Sequence, residues 1–69
     1  MTDQHFALPT HIGQSITFSS HGKVLEVTFM RQLCWRLHIL AATELARFTT
    51  DRERACQYIQ HFLDTGTLS

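Results

Sequence analysis

Sixty-nine residues with six basic and six acidic side chains carry no formal net charge when the histidines are neutral. The length allows one domain, and the absence of a basic excess argues against a generic nucleic-acid binder. A chain this short buries only about 60% of the surface it exposes when unfolded, so association with a second copy is the expected source of extra stability.

Residues 1–12 mix polar side chains with Phe6, Leu8 and Pro9. Pro9 disfavours helix at Leu8, so the segment reads as an extended arm, either loose or docked through Phe6 and Leu8. Residues 14–29 read as a β-hairpin. Ile16 and Phe18 alternate with Ser15, Thr17 and Ser19, and Leu25, Val27 and Phe29 alternate with Glu26 and Thr28. With His21 and Gly22 as the central turn residues, Ser20 pairs with Lys23, Phe18 with Leu25, Thr17 with Glu26 and Ile16 with Val27. That register gathers the apolar side chains on one face.

Residues 30–48 contain neither Gly nor Pro and read as one long helix. Leu33, Leu37, Leu40, Leu45 and Phe48 form one apolar stripe, and Trp35, Ile39, Ala42 and Ala46 form a second. Thr50, Asp51, Arg52 and Glu53 form a capping box that opens a second helix over 51–64. That helix carries Ala55, Ile59, Phe62 and Leu63 on one stripe, and Gly66 stops it. Residues 65–69 remain as a loose tail. The expected fold is α+β: an N-terminal arm, a β-hairpin, a long central helix and a shorter C-terminal helix, in a homodimer.

The candidate chemistry is sparse. His5, His11, His21, His38 and His61 are dispersed, and none has a second ligand at metal-binding spacing. Cys34 and Cys56 lack a CxxC arrangement and read as free buried thiols. There is no phosphate-binding glycine loop and no nucleophile motif, so the sequence predicts neither an enzyme nor a cofactor. Met1 to Pro9 has no positive cluster or apolar core. The apolar run near Leu37 to Ala42 is broken by His38 and falls short of the roughly 20 residues that span a membrane. A soluble, cytoplasmic protein is expected.

Two surfaces invite a partner. Arg31 and Trp35 lie four residues apart on the expected long helix, close enough for guanidinium over indole. Trp35, Ile39 and Ala42 continue that edge, flanked by Arg36 and His38. Trp and Arg are enriched at interface hot spots, so Arg31, Trp35, Arg36, His38, Ile39 and Ala42 form the expected dimer or partner interface. Alternatively, the hairpin and second helix sandwich the long helix and bury both faces within one chain. The other surface is the start of the second helix, where Arg52, Arg54 and Gln57 suit base-edge contacts in a DNA groove. A dimeric regulator of helix-turn-helix or ribbon-helix-helix type is the alternative function, although Asp51 and Glu53 would face phosphates in the same turn.

The small size, zero net charge, interface residues such as Arg31 and Trp35, and lack of catalytic motifs resemble the small early proteins of temperate phages that disable host proteins. Within that class the chain is similar to the quorum-sensing anti-activators of Pseudomonas phages, in overall size and helical character rather than in any motif. The resemblance implies a non-enzymatic inhibitor that occludes a LuxR-type transcription activator or another host protein. It assigns no binding residue.

Overall fold

In the computed structural model, which describes residues 6–40, 43 and 45–68, the chain forms a four-stranded antiparallel sheet and one helix. Strands β1 (Ser15–Ser20), β2 (Lys23–Phe29), β3 (Trp35–Ile39) and β4 (Arg47–Thr49) lie side by side in chain order, and α1 (Arg52–Thr65) follows. The class is α+β.

The first hairpin has the register that its alternation predicts. Ile16 faces Val27, Thr17 faces Glu26, Phe18 faces Leu25 and Ser20 faces Lys23. His21 and Gly22 have φ of 54° and 73°. Positive φ at both central positions is the two-residue type I′ turn, whose twist matches that of the flanking strands.

The long helix expected over 30–48 does not form. Its described residues instead supply the turn before β3, β3 itself and the start of β4. Trp35, Leu37 and Ile39 are buried, whereas Arg36 and His38 between them are half-buried. That alternation has the two-residue period of a strand and competes directly with the helical stripes. The strand wins because a two-stranded hairpin is marginal in water and β2 has a free edge to complete. β3 fills it, with Leu25 opposite Ile39, Val27 opposite Leu37 and Phe29 opposite Trp35.

The turn that makes this possible carries no glycine. The Leu33 amide donates to the Met30 carbonyl at 3.0 Å, and the Met30 amide donates to the Cys34 carbonyl at 2.7 Å. Leu33 has φ of 60°. This is the three-residue hairpin loop in which a turn is followed by a left-handed residue, a place usually given to Gly.

α1 packs diagonally over one face of the sheet, from the end of β4 to the β1–β2 turn. Ala55, Cys56, Ile59 and Phe62 are its buried residues. They meet Leu25, Val27, Leu37 and Ile39 in a single core. The N-cap is Asp51 rather than Thr50: its Oδ1 accepts from the Glu53 amide at 3.0 Å, and Ala55 N–H donates to the Asp51 carbonyl at 3.0 Å. Asp caps as well as Thr or better, so the helix starts one residue later. Gly66 stops it in a left-handed conformation, donating to the Phe62 carbonyl. The tail beyond is not loose as far as Leu68, which is buried in the core.

The arm docks on the same face as α1. Phe6 meets Phe18 edge to face at 5.5 Å. Leu8 and Pro9 are buried, and the Trp35 indole Nε1 donates to the Pro9 carbonyl at 3.0 Å. The turn from His11 to Gln14 then leads the arm into β1.

Candidate protein-interaction surface

A sheet strand sends alternate side chains to opposite faces. α1 and the arm lie on the core side, so among the described elements none covers the second face. That face carries Ser15, Thr17 and Ser19 of β1, Val24, Glu26 and Thr28 of β2, Arg36 and His38 of β3, and Phe48 of β4. The strand registers align them into rows. Thr17, Glu26 and His38 form one row, and Ser15, Thr28, Arg36 and Phe48 form the next.

The two rows are tied by a diagonal ion pair. Arg36 Nη2 lies 3.6 Å from Glu26 Oε1, with both side chains about one-third exposed (36% and 30%). A pair this open to water contributes at most about 1 kcal/mol. Its effect is positional: the Arg36 guanidinium is held along the sheet, and its Nε is buried with no hydrogen-bond partner among the described residues. Directly across the strand pair stands Phe48, 59% exposed. Solvated faces of antiparallel sheets are normally polar. An aromatic ring beside a flattened arginine departs from that rule and has the composition of an interface.

The residues expected at the interface are divided by the sheet. Trp35 is only 8% exposed and Ile39 is buried, both within the core. The four-residue spacing that aligned them on a helix also aligns them on a strand, on the inward face beside Leu37. Trp35 stacks obliquely on Phe29, with ring centroids 5.4 Å apart. Arg31 is exposed in the β2–β3 turn. Arg36 and His38 are brought together on the open face, and His5 and Ala42 lie outside the described residues. Among the described residues, the edge expected from Arg31 through Trp35 to Ile39 is therefore not one continuous surface, because Trp35 and Ile39 are buried. Glu26, Thr28 and Phe48 take its place. Glu26 and Thr28 were visible in the polar phase of β2, whereas Phe48 was hidden in the apparent helical stripe.

Arg52, Arg54 and Gln57 are exposed at the start of α1. Arg54 and Gln57 line an open groove of about 290 Å³ with Tyr58, His61 and Leu68. Arg52 does not line it. The element before α1 is a strand, and among the described residues there is no helix pair of the helix-turn-helix or ribbon-helix-helix kind. Asp51 and Glu53 add negative charge to the same turn.

Among the described residues no group of three or more His, Cys, Asp or Glu side chains converges as a metal site, and both cysteines are free thiols. No described helix is long and apolar enough to cross a membrane. Compared with protein families, with curated proteins and with solved structures, the chain has no match.

Proposed function

We propose that the protein is a non-enzymatic binding module that inhibits another protein by covering part of its surface, with the open sheet face as the contact. The observation that carries this reading is Phe48, 59% exposed beside Arg36 on a face whose other side chains, Val24 apart, are polar. Aromatic rings and arginines supply most of the energy at protein interfaces, and the flat rows around them exclude water. Glu26 and His38 add polar groups at the rim of the same patch. The inhibitory role, and a LuxR-type transcription activator as the first partner to test, come from the resemblance to phage anti-activators.

The test is a titration of a purified LuxR-type activator bound to its operator duplex. Release of the duplex by the wild-type chain and not by Phe48→Asp is the expected result. Binding of the chain to the duplex itself, weakening steeply as salt rises, would favour the DNA-binding alternative through Arg52, Arg54 and Gln57. Neither effect at micromolar protein would remove the activator as the partner.

A further inference from the structure

The sheet has two outer edges, and they are built differently. β4 is three residues long and carries Arg47. Short, charged edge strands are a normal defence against pairing with other chains. β1 has six residues, Ser-Ile-Thr-Phe-Ser-Ser, with no charge and no proline, and its pairing with β2 is unbroken from Ser15 to Ser20; the bulge that Gly13 and Gln14 make opposite Phe29 lies before it. Along those six residues no described group defends the edge.

The hydrogen-bond phase says which backbone groups that edge presents. Phe29 N–H donates to the Gln14 carbonyl at 3.0 Å, and Gly13 N–H donates to the Phe29 carbonyl at 2.9 Å. Antiparallel ladders alternate, so Ile16 and Phe18 turn their backbone groups toward β2. Ser15, Thr17 and Ser19 turn theirs outward, and no described backbone or side-chain group meets them. The side chains of these three residues are exposed as well.

We propose that two copies of the chain pair antiparallel along β1, about a two-fold axis at Thr17, to form one continuous eight-stranded sheet. The register is specified by three conditions that coincide. Side chains opposite each other in an antiparallel pair share a face, so only registers centred on a residue keep the core side on the core side. Centring on Thr17 places its outward N–H and C=O against those of its own copy, and Ser15 against Ser19. It also places Ile16 against Phe18 of the second copy, twice by symmetry. Ile16 and Phe18 are the half-buried apolar residues at that end of the core. The contact is isologous and closes on itself, giving a dimer and not a fibre. Both helices then lie on one side, and the two open faces merge into a single platform. The pairing depends on the edge alone, so it stands or falls independently of what the open face binds.

Light scattering and amide hydrogen exchange test this on the intact chain. The expected mass is about 16 kDa, twice the 8.0 kDa of one chain. The Ser15, Thr17 and Ser19 amides are expected to exchange at least tenfold more slowly at high chain concentration than after dilution. Thr17→Pro removes an outward donor that the monomer does not use, and is expected to return the chain to one copy with an unchanged circular dichroism spectrum. Thr17→Lys provides a second route: two lysines would face each other across the axis, while each retains Glu26 of its own chain as a neighbour. A monomer at ~1 mM, where even a Kd of ~1 mM populates dimers, overturns the proposal. So does a dimer in which the three amides still exchange fast, since its contact lies elsewhere. Open-ended polymers would show that β1 meets β4 of the next copy, which also overturns it.

Discussion

The Trp35 indole Nε1 donates to the Pro9 carbonyl oxygen, 3.0 Å away and buried. The bond crosses from the first residue of β3 to the N-terminal arm, so the arm from Phe6 to Pro9 is part of the fold. Trp35→Ala removes a large core ring and is expected to cost about 3–5 kcal/mol. Trp35→Phe keeps most of the ring but leaves the Pro9 carbonyl without its partner, at a cost of about 1–3 kcal/mol. Urea unfolding measures both. A Trp35→Ala protein as stable as the wild type would place this side chain on the surface instead.

Leu33 holds a left-handed conformation, φ 60°, while its side chain is 64% exposed. Little burial is lost if that side chain is removed, and the left-handed conformation costs an L-residue roughly 1–2 kcal/mol. Glycine pays back part of the gain through a more flexible unfolded chain. Leu33→Gly is therefore expected to stabilise the protein by about 0.5–1 kcal/mol, seen as a raised Tm. A fall in Tm of similar size would mean that Leu33 packs in a way its exposure does not reveal.

Gly66 sits against the tip of the first hairpin. A Cβ built on it, at φ 80°, would lie 2.9 Å from the His21 Cβ. The same tip is fixed by Ser20, whose hydroxyl donates to the Leu63 carbonyl at 2.9 Å and lies 2.7 Å from His21 Nδ1. With the hydroxyl proton committed to Leu63, His21 Nδ1 must be the donor in the second bond. Gly66→Ala is expected to cost about 1–3 kcal/mol, from the left-handed backbone and the contact together. In a His21→Gly background the contact disappears and only the backbone cost remains. A double-mutant cycle by urea unfolding is expected to give a coupling above about 0.5 kcal/mol. No coupling would mean that the helix end and the hairpin tip do not meet.

How much of this was legible in the sequence depended on where turns were marked. Gly22 marked the first hairpin, and the alternation around it fixed the register correctly. Gly66 and the polar run at Thr50 to Glu53 marked α1 to within a residue or two. Between Met30 and Cys34 the chain turns through Leu33, which no turn chemistry announces. Without that break, Trp35, Leu37 and Ile39 joined Leu33, Leu40 and Leu45 in a helical pattern that four-residue spacings satisfy as readily as strand alternation does. On a helix Arg36 and His38 would flank Trp35, whereas the sheet puts them on the face opposite to it. Phe48 could be recognised as their neighbour only once β3 and β4 were paired.

The open face makes a separable claim about stability. Phe48 is exposed on a three-residue edge strand, and Phe48→Asp is expected to change unfolding free energy by no more than about 0.5 kcal/mol. Circular dichroism through a thermal melt checks this. A loss of several kcal/mol would mean that the ring is part of the core.

The most direct measurement is therefore a paired binding experiment on one partner with three proteins: wild type, Phe48→Asp on the open face, and Gln57→Ala on the outer side of α1. If the open face is the contact, Phe48→Asp weakens binding at least tenfold, about 1.4 kcal/mol, and Gln57→Ala leaves it unchanged. Binding retained by Phe48→Asp and lost with Gln57→Ala would contradict the account and move the site to the helix.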